Sequence, residues 1–161
     1  LSVAFTKEES AETASEVQLP DRPISPHPNL VTVEGLQQLE KLLSDAREGH
    51  AQAQQIEDVN ERRRRSAPFA RDIRYYSERV RTAVVQPPPA SSEIVAFGSR
   101  VTFHRDDGRE QIFRIVGEDE ADPKTGSISY VSPVARVLLG KAVGDLVKLG
   151  EHDIEIVAIE V

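Results

Sequence analysis

Three consecutive prolines, Pro87-Pro88-Pro89, divide a chain of 161 residues into two stretches whose apolar residues repeat with different periods. Upstream the repeat is helical. Leu36, Leu39, Leu43 and Ala46 recur at spacings of three, four and three, and Phe69, Ile73, Tyr76, Val80 and Ala83 at four, three, four and three. Each set lines one face of a helix. Downstream the repeat is that of strands, in short runs separated by turn residues. A chain with both periods, segregated in this way, folds as an α+β protein.

The upstream stretch, 31–86, has no strand-like alternation and two glycines, and reads as helical, with Thr32 before Glu34 and Gly35 at a helix start. Two stripes joined by a polar connection make an antiparallel helical hairpin, a short coiled coil in which each seam buries the other. Positions 47–68 carry a weak seam of His50, Ala53, Ile56 and Val59 among many charges, which predicts a firm base and a polar distal end. Residues 1–30 hold five acids and two bases, with Pro20, Pro23, Pro26 and Pro28 at short spacing. They read as an acidic, extended arm, mobile or draped over the surface, because so little apolar area does not offset the entropy of ordering it.

The proline run opens a stiff linker, 87–96. In 97–161, Val101 and Phe103, then Ile112, Arg114 and Val116, alternate about Asp106-Asp107-Gly108, which marks a hairpin turn. Ile128 and Tyr130 predict a third strand. Ser132-Pro133 opens a short helix that Gly140 closes, since serine caps free N–H groups, proline is tolerated in the first turn and glycine accepts the left-handed exit. Leu146 and Val147, then Ile154, Ile156 and Ile159, give two last strands. Five strands and one helix make a small sheet domain near the lower size limit for an independent core.

Composition narrows the function classes. No cysteine is present, which removes disulfides, thiolate metal sites and cysteine nucleophiles. A net charge of −7 argues against generic duplex binding, where affinity comes from neutralising phosphates. No apolar run approaches the ~18 residues of a membrane span. The acidic N-terminus lacks the apolar stretch of a secretory signal, and Leu1 reads as a non-standard start or a trimmed end. The expectation is a soluble, cytoplasmic, monomeric protein. His27, His50, His104 and His152 are scattered without ligand spacing, so no metal bound by this chain alone is expected. With no Ser/His/Asp arrangement and no phosphate-cradling glycine loop, there is no positive case for an independent enzyme.

Three ordered blocks resemble the Gre family of bacterial transcription elongation factors. They are Phe97-Gly98-Ser99-Arg100-Val101, the run Arg114 to Asp122, and Ser132-Pro133-Val134-Ala135-Arg136-Val137-Leu138-Leu139-Gly140-Lys141 followed by Val143-Gly144-Asp145. Upstream, Val31 to Leu36 resembles the start of the family's hairpin, so the likeness spans roughly 31–161. The resemblance implies a coiled-coil hairpin and a C-terminal domain of FKBP-like fold. It also implies that the C-terminal domain docks on RNA polymerase near its secondary channel, with Glu118, Asp119, Glu120, Asp122, Ser132, Pro133 and Arg136 at the docking surface. The hairpin then carries tip carboxylates to the polymerase active site, where they help hold a second Mg²⁺, and nascent RNA is met only inside that complex. The factor has no cofactor of its own and lends ligands to the polymerase's nuclease activity.

The family tip has an acid, another acid three residues on, then Asn. Asp58-Val59-Asn60-Glu61 supplies the first two, while Arg62 stands in the third place and begins a run of Arg62, Arg63, Arg64 and Arg65. That run could meet nucleic acid or channel walls, or simply be a solvated face balanced by Glu57, Asp58 and Glu61. Three placements of the turn are open: near Asp58–Glu61; within 49–55, because Ala46-Arg47-Glu48-Gly49-His50 also resembles a stretch just before the family tip; or across a long charged segment 50–66, if Gly49 ends the first helix and Ser66 before Pro68 starts the second. Three functions follow: stimulation of transcript cleavage; occupation of the channel without cleavage; and, from the FKBP-like fold, peptidyl-prolyl isomerisation, for which Phe97, Phe103, Phe113 and Tyr130 are the available aromatics.

Overall fold

The computed structural model describes residues 18–161, which divide into two compact units: 18–25 with 39–81, and 26–38 with 82–161. The acidic part of the arm, Glu8, Glu9, Glu12 and Glu16, lies outside the described residues.

The first unit is built on two helices, α1 (Val33–Ala53) and α2 (Val59–Thr82). At ~1.5 Å per residue, they are about 32 and 36 Å long. Leu39, Leu43, Ala46 and Ala53 of α1 are buried, as the three–four spacing requires. Gly49 does not end α1. A Cβ placed there would lie 2.3 Å from Cε1 of Phe69, so the glycine is needed for the close approach of that ring. Gln54 Nε2 donates to Ser66 Oγ at 2.8 Å, a second cross-pair in the same antiparallel register. The second helix starts at Val59 and not at Ser66, with Pro68 inside it. Proline lacks the N–H that would reach the Arg64 carbonyl, and its exposed position leaves that carbonyl to water. Residues 54–58 therefore form the turn, and the long charged segment of 50–66 is mostly helix.

Residues 18–25 are fastened to α2. Arg74 donates to the Asp21 carboxylate through Nε and to the Leu19 carbonyl through Nη2. The Arg22 guanidinium lies 3.9 Å from the centre of the Tyr75 ring and pairs with Asp72 at 3.3 Å, a cation–π contact of the kind worth about 1 kcal/mol. Ion pairs and this ring contact thus tie residues 18–25 to α2.

The second unit is a five-stranded sheet, with two further short strands, β1 (Leu30–Val31) and β2 (Val84–Val85), paired in parallel. Those two were not legible as strands, because two residues carry no period. The sheet comprises β3 (Arg100–Arg105), β4 (Glu110–Val116), β5 (Ser127–Ser129), β6 (Leu146–Leu149) and β7 (His152–Glu160), in the order β5-β4-β3-β7-β6. Only β4 and β5 run parallel. Gly108, at φ +86°, makes the β3–β4 turn, and its N–H reaches the Arg105 carbonyl at 3.0 Å.

The phase of β4 differs from the sequence expectation. Phe113 sits opposite Val101, which is fully buried, so Phe113 and Ile115 face the core while Ile112 and Arg114 face out. Apolar residues occupy both phases of this strand, and only its pairing with β3 decides between them. A short helix, α3 (Pro133–Leu138), lies against β5 and β6. The core gathers Phe103, Ile115, Leu138, Ile154 and Ile156, all at most 1% exposed.

Candidate functional site

Asp58 closes the turn of the hairpin. Its Oδ1 accepts the backbone N–H of Glu61 at 2.7 Å, and its carbonyl accepts that of Arg62 at 2.9 Å. It is therefore the N-cap of α2, and Glu61 lies in the first turn, where a carboxylate also suits the positive end of the helix. The Asp-x-x-Glu spacing that looks like a metal-delivering pair is equally the spacing of a helix start. Both acids stand at the hairpin end, Asp58 exposed and Glu61 half-exposed.

The four arginines after them divide into two kinds. Arg64 and Arg65 each pair with Glu61 at 3.2 Å. Arg62 turns back to donate to the Ile56 carbonyl at 3.2 Å, and together with Arg63 it lines a cavity on the same unit. Exposed pairs such as Glu61–Arg65 are worth about 0–1 kcal/mol, so they restrain Glu61 without locking it. Among the described residues no cluster of three or more His, Asp or Glu could hold a metal ion.

The residues named for docking lie on the second unit, in two groups. Glu118, Asp119 and Glu120 follow β4 and are half-buried. Glu120 accepts the hydroxyl of Thr32 (2.6 and 2.8 Å to its two oxygens), while Thr32 Oγ1 accepts the N–H of Gly35 at 2.9 Å and so caps α1. Glu120 is thereby engaged in anchoring a helix start, a link between residues 88 apart in sequence that no local pattern signals. Asp122 caps the turn of 3₁₀ helix Pro123–Thr125 through the N–H of Lys124 at 3.2 Å. Ser132 caps α3 by accepting from Ala135 N at 3.2 Å, with Pro133 and Arg136 exposed on that helix.

The four aromatics do not form one pocket. Phe103 is fully buried, its ring 6.1 Å from that of Phe113, whereas Phe97 packs edge-on to Tyr130 at 5.7 Å, and the Tyr130 hydroxyl donates to the Pro28 carbonyl. His104 and His152 pair with Glu110 and Asp106 on the sheet surface at 2.7 and 2.9 Å. No helix among the described residues is long and apolar enough to cross a membrane.

With this arrangement in view, the comparisons with known proteins become specific. The family described as Transcription elongation factor, GreA/GreB, C-term matches residues 90–161. The C-terminal domain belongs to the GreA/GreB family. Over 104 residues the chain is 41% identical to transcription elongation factor GreB of Neisseria meningitidis serogroup B (strain ATCC BAA-335 / MC58), covering 61% of this chain and 64% of that protein. Over 81 residues it is 46% identical to transcription elongation factor GreA of Bacillus licheniformis, covering 47% of this chain and 51% of that one. The chain thus spans between half and two thirds of these relatives. A solved prokaryotic transcription elongation factor GreA/GreB from Nitrosomonas europaea aligns with 82% of this chain and 98% of its own, at 23% identity and a TM-score of 0.40. Within this Gre-type domain, the segment after β4 and the capped helix α3 fall in two of the three blocks that carried the likeness.

Proposed function

We propose that this chain is a transcription elongation factor that binds bacterial RNA polymerase through its Gre-type domain and stimulates cleavage of backtracked transcripts by presenting Asp58 and Glu61. The observation that carries this reading is the place of the two acids at the turn between α1 and α2. Asp58 spends one oxygen, Oδ1, on capping, which leaves Oδ2 to meet a hard cation. Two metals about 3.5–4 Å apart stabilise the attacking and leaving oxygens of an in-line displacement, so carboxylates arriving on a helical rod complete a site whose other ligands and whose Mg²⁺ belong to the polymerase. Asp119, Asp122, Ser132, Pro133 and Arg136 form the proposed docking surface, Glu118 and Glu120 supporting it from within.

One observation favours a second reading, a polymerase-binding regulator that fills the channel without promoting cleavage. Both oxygens of Glu61 are held by Arg64 and Arg65, and cations beside a carboxylate pair weaken its hold on Mg²⁺. Transcript cleavage by backtracked cognate polymerase separates the two. Asp58→Asn with Glu61→Gln is the informative variant, since Asn caps as well as Asp and the fold is kept. Stimulation by the wild type that falls by about 10² in the double variant, with polymerase binding unchanged, supports metal assistance. Tight binding with no stimulation by either protein selects the regulator. Failure of Asp122→Lys with Arg136→Glu to weaken association sinks the proposed docking surface.

A further inference from the structure

A cavity of about 430 Å³ lies in the helical unit beside the turn, where Gln54, Arg62, Arg63, Ser66, Ala67 and Arg74 contribute to its wall. That volume falls within the range of small-molecule sites, about 300–1,000 Å³. Charge is what sets it apart. Six of the ten arginines in the described part of this unit have a carboxylate beside them: Arg22 and Arg71 have Asp72, Arg64 and Arg65 have Glu61, Arg74 has Asp21, and Arg81 has Glu78. Arg62 and Arg63 have no acid partner among the described residues, and both line this cavity.

We propose that this cavity binds a small organic phosphate, with Arg62 and Arg63 as its anion clamp. Guanidinium forks match phosphate oxygens two at a time, and a doubly charged group satisfies two forks where a single carboxylate does not. Arg74 adds a third cation, already shared with Asp21. Ser66 and Gln54, bonded to each other at 2.8 Å, offer further polar groups, and Ala67 with Leu19 gives an apolar wall for the organic part. A nucleic-acid strand fits less well. It needs a track of cations, yet the neighbouring Arg64 and Arg65 are paired with Glu61, so the run of four arginines offers no continuous unpaired track.

Titration of the full chain with pyrophosphate and with a nucleoside diphosphate, followed by calorimetry at low salt, tests this independently of any polymerase assay. The expected result is one saturable site with a dissociation constant below ~1 mM, tighter for the nucleoside diphosphate. Affinity falls at least tenfold in Arg62→Ala/Arg63→Ala and stays within about twofold in Arg64→Ala/Arg65→Ala. Because Arg62 also holds the turn through Ile56, the exposed Arg63→Gln alone is the control for folding and retains the loss. Absence of saturable binding overturns the proposal, as does equal loss in both double variants. Much tighter binding of a twelve-nucleotide RNA, lost with any of the four arginines, would make the patch a nucleic-acid track instead. A tenfold gain in affinity on removing residues 1–17 would mean that the chain's own acids compete for the cavity as its intended occupant.

Discussion

The helical unit and the sheet unit stabilise themselves by different means. The sheet unit buries a cluster of large side chains, including Phe103, Ile115, Leu138, Ile154 and Ile156. The helical unit buries Leu39, Leu43, Ala46 and Ala53 from α1, but the buried positions of α2 are Ser66, which accepts from Gln54, and Arg79. One unit rests on close-packed hydrocarbon. The other rests on a thin seam with charges and hydrogen bonds along its length.

That contrast is broken most severely from the sheet side. Phe103→Ala removes a fully buried ring and is expected to destabilise the domain by about 3–5 kcal/mol, read as a shift of the denaturant midpoint. A loss below about 1 kcal/mol would mean that the core is loosely packed and the two units are alike. In the hairpin one effect has the opposite sign. Pro68 lies inside α2 with no N–H to donate, and Pro68→Ala restores that backbone bond, so helix stability is expected to rise by about 2 kcal/mol. A fall would show that the proline ring itself packs.

Gly49→Ala sharpens the comparison further, because two effects oppose. Alanine is the better helix former by about 1 kcal/mol, yet the added methyl would sit 2.3 Å from the Phe69 ring, and such overpacking costs about 1–3 kcal/mol. The net expectation is a loss of about 1 kcal/mol, reversed when Phe69→Leu is added. Thermal unfolding of the two variants decides it.

How far the sequence spoke for each unit follows the same division. The buried face of α1 was legible from Leu39, Leu43 and Ala46, since an apolar stripe is a direct record of one packed side. The turn was not, because Gly49 and Pro68 carry local meanings, helix end and helix start, that tertiary contacts override. Arg79 was invisible as a buried residue, as a charged side chain breaks the pattern that would reveal it. In the sheet, β3 alternates plainly and β7 does so through Ile154 and Ile156, where a bulge shifts its phase before Ile159, while β4 has apolar residues on both faces and takes its phase from its neighbour. At the tip, Asp58 and Glu61 could be found by spacing, but not that Asp58 caps α2 and Glu61 draws in Arg64 and Arg65. The division of four identical arginines into two paired and two unpaired belongs to three-dimensional placement alone.

Acid gives the gentlest test of the comparison. In the sheet unit the Asp107 carboxyl is pulled down to about 2, first by the side-chain hydrogen bonds from Arg109 and then by that residue's backbone N–H. Asp106 is lowered as well, chiefly by the backbone N–H of Asp153 and then by His152. In the hairpin Glu78 is lowered by the Arg81 guanidinium, a partner one helical turn away. A depressed carboxyl contributes stability that is complete above its unfolded value and is lost as pH falls through its folded one. The contribution of Asp107 is therefore present above about pH 4 and is lost toward pH 2. All three are surface groups, so salt reduces the effect. Carboxyl chemical shifts followed between pH 5 and 2 are expected to show Asp107 titrating last, with Asp107→Asn removing that step. An Asp107 midpoint near 4 would mean that the turn's ion pair does not hold in solution and adds nothing to the stability of the sheet unit.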